Sequence, residues 1–236
     1  MKNIPFNERL IVAFDMESVE EALEAWANIR SDAVWVKIGF HLISDPDAET
    51  LIGAIKRDGG KILSDLKSIR TFPALEQNVR RMERLGVDAL SIHYAREVLA
   101  MARTYAVASS VVTPILLTSM SREDIERDTG TAVDALVVDR ARTAITEQNF
   151  TGVITSGQEL KLIREELGYD FVAIVPGIRD DELAFRSADD QKRTVSLESA
   201  FTNGADYVLI GRPITSSDNP GNVVRAIQKR IEKILV

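Results

Sequence analysis

The chain has 236 residues, 45% of them hydrophobic, with a formal net charge of −7 and no cysteine. That length suits one large α/β domain, the lack of cysteine excludes disulfides, thiolate nucleophiles and Cys-ligated zinc, and an acidic balance without a Lys/Arg block argues against wholesale binding to nucleic acid. No apolar stretch reaches the roughly 18 residues of a membrane span, and Asn7, Glu8 and Arg9 close behind Pro5 leave no apolar core for a secretory leader, so a cytoplasmic protein with no membrane partner is expected.

Apolar runs and helical patterns alternate along the chain. Leu10 to Phe14 is continuously apolar and closed by Asp15, as in a strand buried on both faces. Ser18 can cap the next stretch, where Val19, Ala22, Leu23 and Trp26 recur at helical spacing. Val34 to Ile38 is the second strand, with Lys37 near its end, and Ala48 to Arg57 the following helix. The third strand, Lys61-Ile62-Leu63-Ser64-Asp65-Leu66-Lys67, puts an acid and a lysine two residues apart, so both leave its end on the same side. A helix over Pro73 to Leu85 has proline near its first turn. Ala89 to His93 and Val112 to Leu117 are strands four and five, with no helix marked between them.

After strand five, Ser121 caps a short helix containing Asp124, and Thr131 to Gln148 reads as another helix. Gly152 to Thr155 is strand six, Ser156 opens the helix Gln158 to Leu167, and Phe171 to Val175 is strand seven, ending at Pro176-Gly177. The polar segment Ile178 to Thr194 is dense in charge and lacks apolar periodicity, the pattern of a lid or binding loop. A helix from Leu197 to Asn203 leads to strand eight, Tyr207 to Ile210, and Asn219-Pro220 starts a final amphipathic helix.

Eight strands alternating with helices predict a single-domain (β/α)8 TIM barrel over residues 1–236. An open doubly wound sheet usually carries Gly-x-Gly-x-x-Gly after its first strand, whereas Asp15 is followed here by Met16, Glu17 and Ser18. In such a barrel chemistry belongs at the C-terminal strand ends. Those ends carry Asp15, Lys37, Asp65 with Lys67, His93, Thr118 with Ser119, Ser156, Pro176-Gly177 and Gly211-Arg212. Asp15 could equally cap a helix, His93 could be a hydrogen-bonded core imidazole, and Thr118 and Ser119 could satisfy local backbone. The loops after strands seven and eight commonly bind phosphate through backbone N–H groups. Gly211 would allow close approach, Arg212 a bidentate contact, and Arg179 and Gln191 would close over the same phosphate from the 178–194 loop.

Seven stretches together carry a family resemblance: Val12-Ala13-Phe14-Asp15, Val36-Lys37-Ile38-Gly39, Asp65-Leu66-Lys67, Leu117-Thr118-Ser119-Met120, Pro176-Gly177-Ile178-Arg179, Asp190-Gln191-Lys192-Arg193 and Ile210-Gly211-Arg212-Pro213-Ile214-Thr215. In this order, over nearly the full length, the chain resembles orotidine 5′-monophosphate decarboxylase of the bacterial type. The resemblance implies a homodimer with sites at the subunit interface, a nucleoside monophosphate substrate, and no metal or organic cofactor. It implies Lys67 as the general acid at C6 of the pyrimidine, Asp65 beside the departing carboxylate, and Lys37 and Asp15 on the ribose within a charge network. Thr118, with Ser119 next to it, would face the base, Pro176 would belong to the substrate-binding set, and Arg179, Gln191, Gly211 and Arg212 would hold the phosphate.

The family's site reads Asp-x-Lys-x-x-Asp followed by Ile-Pro, and its second aspartate reaches the partner subunit's site. Here the matching positions are Asp65, Lys67 and Arg70, followed by Thr71-Phe72-Pro73, so a cation replaces an anion and Arg70 and Thr71 become candidate interface residues. Three readings stay open: an orotidylate decarboxylase of pyrimidine synthesis, an enzyme of the same barrel acting on another phosphorylated compound, and a catalytically silent nucleotide-binding protein. Asp65 with Lys67 speaks against the third, because binding alone needs no proton donor at C6.

Overall fold

The structure, a computed structural model, describes residues 2–67, 71–107, 110–180 and 192–236. Eight parallel strands close into one barrel: β1 (Leu10–Phe14), β2 (Trp35–Ile38), β3 (Lys61–Asp65), β4 (Ala89–Ser91), β5 (Ser110–Pro114), β6 (Gly152–Ile154), β7 (Val172–Val175) and β8 (Tyr207–Ile210), with β8 returning to β1. Helices surround it, as the alternating pattern predicts: α1 (Val19–Ile29), α2 (Phe40–Ser44), α3 (Ala48–Arg57), α4 (Phe72–Arg84), α5 (Arg96–Tyr105), α6 (Arg122–Thr129), α7 (Val133–Arg142), α8 (Gly157–Leu167), α9 (Leu197–Thr202), α10 (Arg212–Thr215) and α11 (Pro220–Leu235). The fold is a single-domain (β/α)8 barrel.

The strands read as unbroken apolar runs because both faces are covered. Ile11, Leu63, Ala89, Val112 and Ile174 fill the barrel interior. Val12, Phe14, Val36, Ile38, Ile62 and Leu90 point the other way, into the layer shared with the helices. Side-chain alternation and the parallel register then fix the upper interior layer. Ala13 sits beside Lys37, and Asp65 beside Ser91.

The N-terminal end of the barrel is a plug. Trp35 and Tyr207 meet edge to face at 6.0 Å, and Lys61 lies 5.7 Å over the Trp35 ring while pairing with Glu8 at 2.6 Å. Burial raises the pKa of the Tyr207 phenol above its usual value. Beside the plug, Arg164 and Asp206 form a buried ion pair at 2.9 Å. The guanidinium also donates to the Gly204 and Phe171 carbonyls and stacks on Phe171, and Asp206 also accepts from Ala173 N.

Several boundaries differ from those expected. Strand five was expected over Val112 to Leu117 but runs from Ser110 to Pro114. Ile115, buried in the core, still donates to Ile154 O of β6 at 2.9 Å, and the chain then turns away so that Leu117 is exposed at the barrel mouth. Strand four stops at Ser91, so His93 falls in the following loop. The Thr131 to Gln148 helix divides into α7 and a wider π turn over Thr143–Glu147, which buries Thr143 and Ala144 and lets Phe150 N reach Ala144 O. Three helices were not expected: α2, α5 and α10. Gly39, Ala95 and Gly211 at their N-caps offer no side-chain capping oxygen, so the usual start signal is lacking, and only α10 has a proline, Pro213, in its first turn.

Candidate active site

At the C-terminal end of the barrel the strands open into a cavity of about 730 Å³. Its charged wall comes from three neighbouring strands. Lys37 Nζ lies 2.5 Å from Asp15 Oδ1 and 3.9 Å from Asp65 Oδ2, and Lys67 Nζ donates to the same Asp65 oxygen. The result is a row of alternating charge, Asp15–Lys37–Asp65–Lys67. Asp65 is its buried centre, its side chain 5% exposed, whereas the Lys67 side chain is 39% exposed and faces the opening. A carboxylate flanked by two ammonium groups is compensated on both sides, which is what permits its burial. Lys67 N also donates to Asp65 Oδ1 at 3.3 Å, fixing the short bend after β3.

Glycine makes the row possible. A Cβ at Gly39 would stand 2.5 Å from Asp15 Oδ1 and 3.1 Å from Phe14 O, so any side chain there would push Asp15 away from Lys37. Across the cavity, Gly177 adopts φ 72°, a left-handed conformation that favours glycine. It carries the chain from Pro176 into Ile178 and Arg179.

Of the residues selected from the sequence, Asp15, Lys37, Asp65, Lys67, Thr118, Ser119, Pro176, Gly177, Arg179, Gly211 and Arg212 all line this cavity. Lys67 and Arg212 therefore face one space. Arg179 Nη1 donates to Ile178 O at 2.6 Å, and Thr118 is buried. His93 does not line the cavity. Ser156 is the buried N-cap of α8, its hydroxyl accepting from Gln158 N. Thr71 is exposed at the N-cap of α4, outside the cavity lining. Arg70 and Gln191, with most of the proposed 178–194 loop, lie outside the described residues.

Sequence reasoning missed Ser91, Leu116 and Ile154 as cavity residues. Strand alternation could have found Ser91, two residues beyond interior Ala89 and in register with Asp65. Among the described residues no group of three or more His, Asp or Glu side chains is placed to hold a metal ion, and no helix is long and apolar enough to cross a membrane.

Comparison with known proteins agrees with this architecture. The chain is 32% identical over 235 residues to the orotidine 5′-phosphate decarboxylase of Methylococcus capsulatus, covering 99% of this chain and 96% of that protein. It is 33% identical over 227 residues to that of Maridesulfovibrio salexigens, covering 92% and 96%. The crystal structure of orotidine 5′-phosphate decarboxylase from Lactobacillus acidophilus superposes with a TM-score of 0.78 at 23% identity, covering 95% of this chain and 99% of that one, a likeness of fold. The family model described as "Orotidine 5'-phosphate decarboxylase / HUMPS family" matches residues 8–227. The chain therefore belongs to the orotidine 5′-phosphate decarboxylase / HUMPS family.

Proposed function

We propose that this protein decarboxylates orotidine 5′-monophosphate to uridine monophosphate without a cofactor, as a cytoplasmic homodimer. The observation that carries the proposal is that the Asp15–Lys37–Asp65–Lys67 row and Arg212 line one cavity. That arrangement suits a ligand with a reacting ring at one end and a phosphate at the other.

In this reading Asp65 stands beside the substrate carboxylate, and its negative charge disfavours the ground state more than a transition state from which carbon dioxide is departing. The Lys67 ammonium faces the carbanion that develops at C6. At 4 Å and an effective dielectric near 20 the attraction is about 4 kcal/mol, and it grows as water is excluded. Lys67 then delivers its proton to C6. Lys37 and Asp15 hold the ribose hydroxyls, Thr118 and Ser119 face the base, and Pro176 shapes the wall between base and phosphate. Arg179, Gln191, Gly211 and Arg212 bind the phosphate, with the 178–194 segment as the phosphate-binding loop. Remote phosphate contacts supply binding energy for positioning at C6.

Arg70 favours a second reading, because this chain has arginine where the resemblance implies an aspartate. A cation at that position suits a phosphorylated substrate with an additional anionic group. An ultraviolet assay of purified protein with orotidine 5′-monophosphate, beside Lys67→Ala and Arg70→Asp variants, separates the two. Turnover by the wild type that disappears in Lys67→Ala supports the first. Turnover by Arg70→Asp alone counts against the first and supports the second or a catalytically silent nucleotide-binding protein.

A further inference from the structure

Behind the cavity wall the chain buries a charge pair that the proposed chemistry does not use. Arg193 Nη1 lies 2.8 Å from Glu159 Oε2, with the two side chains 3% and 1% exposed. The geometry is a Coulombic contact off the hydrogen-bond axis. Burying both charges is unfavourable unless other contacts compensate, and the contacts present share one target. Arg193 Nη2 donates to Leu117 O at 2.9 Å and Nε to Met120 O at 3.2 Å. The backbone N–H groups of Lys192 and Arg193 both donate to Thr118 O, at 3.0 and 3.2 Å. One residue and its neighbour thus grip the segment after β5 at three carbonyls.

Two residues further on, Val195 pairs with Ile178: Arg179 N donates to Val195 O at 2.9 Å and Val195 N to Gly177 O at 3.2 Å. Arg193 therefore stands between the two segments that flank the β6 end of the cavity, one carrying Thr118 and Ser119, the other Gly177 and Arg179. Glu159 supplies the fixed point. It lies in the first turn of α8, where the helix dipole favours an acid, and Arg122 approaches its other oxygen at 3.4 Å.

We propose that Arg193, held by Glu159, is a positioning residue that ties the wall after β5 to the wall after β7, so that one ligand orders both. The forked guanidinium is needed because lysine cannot reach Leu117, Met120 and Glu159 at once. The identity of the ligand rests on the nucleotide reading above, whereas the linkage does not.

Hydrogen exchange on the full chain tests the linkage directly. In Arg193→Met, amides of 116–121 and 177–180 should exchange about tenfold faster or more, while β6 and α11 keep their protection. Unchanged exchange at 116–121, or an equal increase throughout the barrel, would overturn the proposal. Should Arg193→Met fail to fold, Arg193→Lys keeps the charge facing Glu159 and loses the fork. It is held to the same localised pattern and the same overturning results. Binding provides the second readout, with uridine monophosphate and inorganic phosphate as probes. A ligand that reaches both segments should lose about tenfold in affinity in the variant, while inorganic phosphate, held also by Gly211 and Arg212 after β8 and making no contact with the segment after β5, should lose clearly less. Equal losses for both would mean general loosening and sink the idea. A wild type that binds no uridine monophosphate would instead defeat the nucleotide reading, and the exchange pattern would still decide the linkage.

Discussion

The two ends of β3 make a natural comparison, since each carries a lysine beside an acid. At the floor of the barrel Lys61 pairs with Glu8 and lies over Trp35, in a layer closed by the Trp35–Tyr207 contact. At the mouth Lys67 shares the buried Asp65 with Lys37, which also holds Asp15, and the row faces a cavity of about 730 Å³. A lysine–acid pair at a strand end is therefore not in itself a mark of chemistry. The floor pair is an exchangeable contact between a part-exposed cation and one acid. The mouth charges are interlocked, so removing one leaves a buried partner uncompensated, and a ligand has room beside them.

The difference between floor and mouth stands or falls first on Lys67. Lys67→Ala should lower turnover of orotidine 5′-monophosphate by about 10³-fold or more, the combined loss of a general acid and of charge stabilisation. Uridine monophosphate binding should remain detectable by calorimetry. Lys61→Ala should leave turnover unchanged, and a matching loss in both variants would erase the distinction between floor and mouth. Next in size is the buried pair beside the floor. Asp206→Ala strands Arg164 and frees Ala173 N, so urea unfolding should show a loss of about 3–5 kcal/mol. The affinity of the folded variant for uridine monophosphate should not change.

Much of this contrast was legible in the sequence, and the reason lies in the strands. Leu10–Phe14 and Tyr207–Ile210 were found to the residue because each is a β-rich apolar run closed by Asp15 or Gly211. Once eight such runs imply a barrel, their ends must meet at one mouth, which brings Asp15, Lys37, Asp65 and Arg212 together without knowledge of any distance. Helix α5 was missed because Ala95 gives no capping signal, although Val98, Leu99 and Ala102 form a buried apolar face. The Arg193–Glu159 pair was illegible for a different reason. Its residues are far apart in sequence, both are charged, and nothing in composition reveals that both are buried.

A smaller effect sharpens the account of the mouth itself. Arg212→Ala should weaken phosphorylated ligands by about 2 kcal/mol, the scale of a charged hydrogen bond, measured by titration with uridine monophosphate. Uridine should bind the variant and the wild type alike. An equal loss for the two ligands would remove Arg212 from the phosphate end.

Acid and alkali should separate rim from floor with the smallest changes of all. At the rim Asp124 has its pKa lowered to about 2, first by the Ser121 hydroxyl and then by Lys192 and Arg127. A carboxyl depressed on folding contributes stability above its unfolded value, near 3.8, and that contribution is lost as pH falls through about 2. The contacts from Asp124 to Lys192, next to Arg193, should therefore weaken only in strong acid, and Ser121→Ala should move the Asp124 titration, followed by NMR, back toward 3.8. The floor should respond at the opposite extreme. Burial raises the Tyr207 phenol above 10.0, so its contribution is intact below 10.0 and is lost as pH rises through the raised value. Alkaline unfolding that begins with Tyr207 ionisation, and acid loosening confined to amides near 121–124 and 192–193, would show that the two ends fail independently. Simultaneous loss at one pH would mean that the rim contacts do not form a separate unit.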